Sequence, residues 1–161
     1  MANKKHVSFR INQSDTTIML DPNTPLLFAL RNELRLIGAK LGCGVEQCGA
    51  CAVLVDNVAT LSCHRAVGEF EGADIVTVEG LEQTPLGRRV INAFVTHMAG
   101  QCGYCIPGIL VATYALLSAD RYPSRQAVER ALTTHLCRCG SHAAVLRAID
   151  SLLEVEPRDV E

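Results

Sequence analysis

Eight cysteines that fall into two separate groups of four are the feature that most constrains how this chain can fold. The first group is Cys43, Cys48, Cys51 and Cys63, and the second group is Cys102, Cys105, Cys137 and Cys139. No cysteine is left over, so the fold must bring the members of each group together. In a reducing compartment, clustered cysteines are typical of metal ligands rather than of disulfides. The pattern therefore predicts two metal centres.

The first cysteine group has the spacing C-x4-C-x2-C, followed by a fourth cysteine after eleven intervening residues. Its three-cysteine core matches the spacing of plant-type [2Fe–2S] sites. Gly42, Gly44 and Gly49 lie in the same stretch, where they let backbone N–H groups approach sulfur and tune the redox potential. A zinc site with four thiolate ligands is the alternative, although such sites usually offer two short knuckles and this group has one. Disulfide bonds are the third interpretation of this cysteine group.

The second cysteine group has the spacing C-x2-C, then a spacer of thirty-one residues, then C-x-C. This spacing is less specific than the first, and zinc is again the alternative. Both pairs are expected at helix ends, with Cys105 just before one helix and Cys137 and Cys139 between two others. Helix N-terminal dipoles at such a junction would favour a negatively charged cluster.

The first half of the chain is predicted to be a small α+β domain. Residues 6–20 alternate in polarity around residues 12–15 and predict a β-hairpin. Thr24 is predicted to cap a helix with Pro25 at its first position and apolar side chains facing the core. Further strands are expected over residues 51–56, 58–61 and 75–78.

The second half has helical spacing of apolar residues, which predicts a four-helix bundle. The four helices are expected over Leu86–Met98, Pro107–Ser118, Ser124–His135 and His142–Leu153. Pro107 suits the first position of its helix, and Ser124 suits an N-cap. We place the domain boundary between residues 82 and 83, so that the domains are 1–82 and 83–161, and we expect the charged tail after Glu154 to fray.

Charge and hydropathy exclude several classes of partner. The formal net charge is −2 and no basic block stands out, which argues against nucleic acid or an anionic membrane surface as the main partner. Residues 1–5 lead into an alternating stretch rather than an apolar signal core, and no run approaches the roughly 20 apolar residues of a membrane span. We therefore expect a cytoplasmic location without direct membrane insertion. Export into a periplasm with a signal-bearing partner is the alternative.

Three motifs together give the chain its resemblance to a known family. They are Cys43-Gly-Val-Glu-Gln-Cys48-Gly-Ala-Cys51, Gln101-Cys102-Gly-Tyr-Cys105-Ile-Pro-Gly108 and Leu136-Cys137-Arg-Cys139-Gly140. In this order they resemble the small iron–sulfur subunit of the molybdenum hydroxylases, the xanthine oxidase/aldehyde oxidoreductase family. The resemblance covers nearly the whole chain. It implies a β-grasp, ferredoxin-like domain followed by an all-α four-helix domain, each with one [2Fe–2S] cluster.

The resemblance also implies which residues carry each role. The first cysteine group would ligate one cluster, and the second cysteine group would ligate the cluster that lies beside the molybdopterin cofactor, with a cytosine dinucleotide form expected. Gln101 and Cys139 would lie adjacent to that molybdopterin. A large subunit would hold molybdenum and oxidise the substrate, an N-heterocycle or an aldehyde. Electrons would pass through this subunit to an FAD-binding or c-type cytochrome subunit, and no catalytic residue is expected on this chain.

The sequence departs from the family pattern at several places without losing a ligand. Glu46 replaces a commoner glycine, Ala52 and Ile106 replace threonines, and Gly140-Ser141-His142 replaces a frequent Thr-Gly-Tyr. The last change resembles the bacterial branch that oxidises N-heterocycles and some aldehydes. Lys40 and Arg138 lie near cysteines and could offset cluster charge. Four histidines are expected to be surface, core or capping residues rather than metal ligands. They are His64, His97, His135 and His142.

Two other functions are weighed against this one. A free-standing ferredoxin that shuttles electrons between enzymes would use the same clusters, but the helical second half and Gln101 speak against it. A zinc-stabilised interaction module would use the same cysteines for folding alone.

Overall fold

The structure, a computed structural model, describes residues 3–153 and contains a five-stranded mixed sheet. The strands are β1 (Lys5–Ile11), β2 (Ser14–Leu20), β3 (Ala52–Val55), β4 (Val58–Leu61) and β5 (Asp74–Val76). Their order across the sheet is β2-β1-β5-β3-β4, in which β1 and β5 are parallel and the other neighbours are antiparallel. A short helix packs on this sheet, so the predicted α+β class of the first half is confirmed.

Two tight turns produce the hairpins β1–β2 and β3–β4. Asn12 and Gln13 have φ values of 47° and 70°, and Asp56 and Asn57 have φ values of 49° and 67°. Two successive residues in the left-handed region form the turn type that matches the twist of antiparallel strands. Asparagine and aspartate adopt this region more readily than most residues, which explains why the hairpin register is fixed here.

The β3 strand is buried on both faces and therefore belongs to two cores. Val53 faces a core that contains Phe9, Leu26, Leu27 and Phe70. The alternate residues Ala52 and Leu54 face a second core with the helical half of the chain. Because side chains alternate across a strand, one strand of four residues joins both cores. The two halves of the chain therefore pack directly on each other.

The first helical segment differs from its prediction. Helix α1 spans Leu26–Phe28 and continues into one wider π-helical turn over Ala29–Glu33. Pro25 occupies the capping position with extended backbone (φ −57°, ψ 137°), and it pairs with Ala66 in an isolated β-bridge. The prediction that Thr24 caps a helix starting at Pro25 is therefore wrong by one residue, because Pro25 still belongs to extended structure.

The strand predicted over residues 75–78 is also shifted. The β5 strand ends at Val76, and Val78 already begins the short helix α2 (Val78–Leu81). Thr77 ends the strand because its backbone N–H donates to the Asn12 side chain at 2.9 Å rather than to a neighbouring strand. A 3₁₀ helix over Val67–Phe70 lies between β4 and β5 and was not predicted.

The second half forms the predicted four-helix domain. Its helices are α3 (Pro85–Thr96), α4 (Ile106–Ala119), α5 (Arg125–Leu132) and α6 (His142–Leu153). The Ser124 hydroxyl accepts a hydrogen bond from the Ala127 N–H at 3.2 Å, which confirms the predicted N-cap. Helix α4 begins one residue before Pro107, so that proline is not its first residue. The charged tail after Glu154 lies outside the described residues.

No helix within residues 3–153 is both long enough and apolar enough to cross a bilayer.

The two halves approach most closely where helix α4 meets the loop before β3. Gly108 in the first turn of α4 lies against the carbonyl oxygen of Gly49, and a Cβ atom at position 108 would overlap that oxygen. Gly49 itself has φ of 73° and packs against the ring of His135 and the carbonyl of Thr134. Glycine at both positions therefore allows the two backbones to touch, because the Cβ atom of any other residue would overlap its neighbours.

This contact predicts the effect of adding one methyl group to the helix. Gly108→Ala should lower the free energy of unfolding by about 1–3 kcal/mol, because the backbone of Gly49 must move to admit the Cβ atom. Chemical denaturation of the purified protein measures the change. Ser118→Ala, on the exposed end of the same helix, is the control and should leave stability within about 0.5 kcal/mol. Equal stability of both variants would contradict the close packing.

Candidate metal centre

The first cysteine group lies on the irregular segment between the π-helical turn and β3, and just after β4. Cys43 is exposed and Cys48 is half-buried, whereas Cys51 and Cys63 are buried. Cys51 immediately precedes β3 and Cys63 follows β4, so the β3–β4 hairpin sets the position of this pair. The remaining two thiols are placed by the loop alone.

Backbone amides surround the exposed thiols of this loop. The Cys43 sulfur accepts hydrogen bonds from the N–H groups of Val45 at 3.4 Å and Gln47 at 3.2 Å. The Cys48 sulfur accepts one from the Cys43 N–H at 3.3 Å. The Val45 and Gln47 amides lower the pKa of Cys43 to about 7, because they stabilise its thiolate. The loop is therefore built to hold negatively charged sulfur.

One departure from the family pattern, Glu46, lies in this loop. Glu46 has φ of 56°, in the left-handed region that favours glycine. A glycine at this position, as in the commoner family pattern, would adopt the same conformation without strain. The fold therefore keeps the backbone geometry of the loop although a larger residue stands there.

The buried pair behaves differently from the exposed pair. Burial raises the pKa of Cys51 to about 11, and a hydrogen bond with the Cys63 thiol contributes to the rise. Metal binding requires a thiolate, so a positive metal ion must offset this cost when it binds. Burial of these two ligands keeps water from one side of a bound cluster.

The second cysteine group lies at the junction of three helices, as predicted. Cys105 directly precedes α4, and Cys102 is exposed in the loop that connects α3 to α4. Cys137 and Cys139 lie in the loop between α5 and α6.

Polar groups stabilise the thiolates of the second group as well. The Ser141 hydroxyl lies 3.1 Å from the Cys137 sulfur, and the Ser141 N–H donates to the same sulfur at 3.4 Å. Together they lower the pKa of Cys137 to about 7, with the hydroxyl as the larger cause. The Tyr104 N–H lowers the pKa of Cys102 in the same way. Burial raises the pKa of Cys105 to about 11.

All eight cysteines are free thiols. Within each group neighbouring thiols influence one another's pKa: Cys48 that of Cys43, Cys63 that of Cys51, Cys139 that of Cys102, and Cys137 that of Cys105. Within residues 3–153, no three His, Cys, Asp or Glu side chains meet at one point that could hold a single metal ion. In a two-iron cluster each iron takes two of the four thiolates.

The two cysteine groups are connected through their loops. The Leu136 N–H donates to the carbonyl oxygen of Cys48 at 3.0 Å, and Leu136 directly precedes Cys137. The Tyr104 hydroxyl donates to the carbonyl oxygen of Leu41 at 2.6 Å. Between these hydrogen bonds lies a cavity of about 330 Å³ whose lining includes cysteines from both groups. The two metal centres therefore share one region of the molecule.

Gln101 lies beside an apolar groove on the helical half. The groove has a volume of about 510 Å³ and is lined mainly by apolar residues, including Phe94, Val95, Met98 and Pro107. The side chains of Val95 and Met98 are 70% and 81% exposed. Gln101 directly precedes Cys102, a cysteine of the second group, in the sequence. We call this surface the Gln101 groove.

The other residues singled out in the sequence have ordinary positions. His64 is exposed, His97 ends helix α3, and His142 begins α6. His135 is buried, which lowers its pKa to about 4 and keeps it neutral. These histidines have the surface, core or capping positions expected from the sequence.

The two basic residues near the cysteines differ in their contacts. The Lys40 ammonium donates to the carbonyl of Ile37 at 2.6 Å. Arg138 is exposed and lines the cavity between the cysteine groups, where it could offset negative charge.

The structure adds two residues that the sequence did not identify. Ser141 was noted only as a departure from the family pattern, yet its hydroxyl contacts a cysteine of the second group. Its position four residues after Cys137, just before a helix, is the signal that could have identified it. Tyr104 was quoted within a motif without a role, and no local signal indicates that its hydroxyl reaches the first loop.

Two family models match the chain. Residues 9–74 match the 2Fe-2S iron-sulfur cluster binding domain, and residues 77–150 match the [2Fe-2S] binding domain. Each match contains the four cysteines of one group. The two matched regions together cover most of the residues that the structure describes.

Curated proteins and a solved structure resemble almost the whole chain. One subunit of the nicotinate dehydrogenase of Pseudomonas putida is 41% identical over 143 residues, which cover 89% of this chain and 91% of that protein. The iron-sulfur-binding subunit of the aldehyde oxidoreductase of Escherichia coli O157:H7 is 34% identical over 89% of this chain and 69% of its own length. The crystal structure of quinoline 2-oxidoreductase from Pseudomonas putida 86 superposes with a TM-score of 0.85 and 32% identity, covering 93% of both chains.

The separate grouping of the cysteines predicts that one metal centre can be removed without the other. Cys48→Ser should abolish one cluster's electron paramagnetic resonance signal in the reduced protein and lower the iron content by about half, because each group holds its own cluster. Gln47→Ala is the control, since it keeps the N–H that contacts Cys43 and should retain both signals. If both signals persist unchanged in Cys48→Ser, the grouping is wrong.

Proposed function

The chain belongs to the small [2Fe–2S] iron–sulfur subunits of the molybdenum hydroxylase family, and we propose that its two cysteine groups ligate the two clusters of such a subunit. The first cluster would be held by Cys43, Cys48, Cys51 and Cys63, and the second by Cys102, Cys105, Cys137 and Cys139. The observation that carries this assignment is that each of the two matched [2Fe–2S] domains contains the four cysteines of one group. The protein is an electron-transfer subunit of a multi-subunit oxidoreductase, and substrate conversion belongs to its large molybdopterin-binding partner.

The protein's own residues hold the clusters and set their environment. Each cluster, when bound, accepts and releases one electron at a time. The amides of Val45 and Gln47 and the hydroxyl of Ser141 donate hydrogen bonds to cysteine sulfur. Such hydrogen bonds, together with burial, are the means by which a protein tunes the potential of an iron–sulfur cluster. The buried thiols Cys51 and Cys105 exclude water from the inner side of each centre.

The position of Gln101 supports an order for the two centres along the electron route. We propose that the second cluster lies next to the molybdopterin, with Gln101 and Cys139 beside that cofactor. Gln101 lines the exposed groove and directly precedes Cys102 of the second group. The first cluster would then lie farther along the route.

The Gln101 groove is proposed to be the docking surface for the large subunit. Exposed apolar side chains such as Val95 and Met98 are unfavourable in water and favour burial against a partner. Their continuity with Gln101 indicates that the partner is the subunit that holds the molybdopterin.

A charge in the groove should weaken assembly. Val95→Glu should reduce the affinity for the large subunit by at least about tenfold, because a carboxylate would be buried without a partner. Co-purification and analytical ultracentrifugation of the tagged complex measure the loss. Val58→Glu is the matched control on β4, where the valine is 65% exposed and lies outside the groove. Equal assembly of both variants would contradict docking at this surface.

The substrate and the remaining partners are also proposed. An N-heterocycle is the proposed substrate class and an aldehyde is the alternative, supported by the similarity to the nicotinate, quinoline and aldehyde enzymes. The proposed molybdopterin form is the cytosine dinucleotide, because the motif departures resemble the bacterial branch. The proposed acceptor is an FAD-binding or c-type cytochrome subunit.

A reducing compartment suits the eight free thiols, so we propose a cytoplasmic location. Export into the periplasm together with a signal-bearing partner is the alternative.

Removing one ligand of the second group tests the electron route. In the assembled complex, Cys102→Ser should lower reduction of the first cluster by substrate by at least about 100-fold, because the second centre is lost from the route. Stopped-flow absorbance of cluster bleaching measures the rate. Dithionite, which reduces clusters directly, should still bleach the first cluster and shows that it is intact. Unchanged turnover with the natural acceptor would contradict the assignment.

A further inference from the structure

One side chain crosses from the second cysteine group to the first. Tyr104 lies between Cys102 and Cys105, and its hydroxyl donates to the carbonyl oxygen of Leu41, 63 residues away in sequence. The distance of 2.6 Å is at the short end of the range for O–H···O hydrogen bonds. Leu41 lies two residues before Cys43, so this hydrogen bond acts directly on the position of a proposed ligand.

The loop that Tyr104 contacts is irregular, and the Gly49–Gly108 contact lies near its far end. Residues 34–51 contain no strand or helix, and Gly42, Gly44 and Gly49 add backbone freedom. The Leu136 N–H holds the same loop from the second group, at Cys48. The hydrogen bonds at Leu41 and Cys48 therefore lie on either side of Cys43, and both originate from the second group. Between them the chain is exposed at Cys43 and Val45.

The cavity between the two cysteine groups shows why this restraint matters. Its volume is about 330 Å³, and its lining includes Tyr104, Cys43, Cys48, Cys102 and Cys105. Cysteines of both groups line this cavity, so the separation of the two loops that border it sets the separation of the groups. The Tyr104–Leu41 hydrogen bond spans the gap and limits how far the loops can separate.

We propose that Tyr104 is a positioning residue whose hydroxyl holds the two cysteine groups at a fixed separation. This inference rests on the proposed function, in which one electron leaves a reduced cluster and enters the oxidised one without any bond forming or breaking. The rate of such a transfer falls steeply with distance. A hydroxyl that keeps the loop of Cys43 against the second group therefore keeps the transfer fast and uniform.

The variant Tyr104→Phe isolates the hydroxyl. It retains the ring and the N–H that stabilises the Cys102 thiolate, and it removes the hydrogen bond to Leu41. Loss of one hydrogen bond should raise the opening equilibrium of the loop about fivefold, which hydrogen–deuterium exchange of the amides in residues 41–48 measures. The magnetic splitting between the two reduced clusters should broaden, because the loops then sample several separations. Both cluster potentials should stay at the wild-type values.

Two further variants make the outcome decisive. Tyr122→Phe is the matched control, since Tyr122 is exposed beyond the far end of α4, about 20 Å along the helix from Cys105. Its exchange and splitting should match those of the wild type. Tyr104→Leu removes the ring as well as the hydroxyl. If Tyr104→Phe behaves like the wild type and only Tyr104→Leu changes, ring packing is responsible and the proposal is overturned.

The test separates this proposal from the proposed function. Exchange of residues 41–48 does not depend on substrate, so it reports on the hydrogen bond alone. If substrate fails to reduce the clusters of the wild-type complex, the proposed function is wrong whatever the exchange data show. If substrate reduces them normally and Tyr104→Phe shows wild-type exchange and splitting, the function holds and the role of Tyr104 is wrong.

Discussion

The close backbone contact between Gly49 and Gly108 is the constraint on which the rest of the structure depends. It lets the loop of the first cysteine group lie directly against the first turn of the helix that follows Cys105. The β3 strand reinforces the contact, because Ala52 and Leu54 pack into the core of the helical half. The two halves of the chain therefore pack directly against each other. The two metal centres therefore occupy neighbouring positions.

Each centre combines thiols of opposite character. Cys43 and Cys137 accept hydrogen bonds and have pKa values lowered to about 7, whereas burial raises the pKa of Cys51 and Cys105 to about 11. Hydrogen bonds stabilise the thiolates of Cys43 and Cys137, whereas the buried thiols Cys51 and Cys105 would need the positive charge of a bound metal. The residues proposed to hold each cluster would therefore combine hydrogen-bonded thiolates with buried ones, and both kinds of environment tune a cluster's potential.

The sequence predicted those elements that depend on local patterns. The four helices of the second half follow from apolar spacing, and the Ser124 cap follows from its residue type. The predictions were wrong at Pro25 and Thr77, where tertiary contacts determine the backbone conformation. Pro25 pairs with Ala66 in a β-bridge, and the Thr77 N–H donates to the Asn12 side chain. The same limit applies to the candidate site. Nothing local to Tyr104 indicates a contact with Leu41, because the two residues are 63 positions apart and meet only when both halves have folded.

The most direct test of the central claim is elemental analysis of the protein purified from its native source through a tag on this chain. Two [2Fe–2S] clusters predict about four irons and about four acid-labile sulfides per chain. Membership in a molybdenum hydroxylase also predicts about one molybdenum and a large partner that co-purifies. The same iron content without molybdenum or a partner would indicate a free-standing electron carrier. About two zinc ions and no sulfide would contradict the electron-transfer function itself.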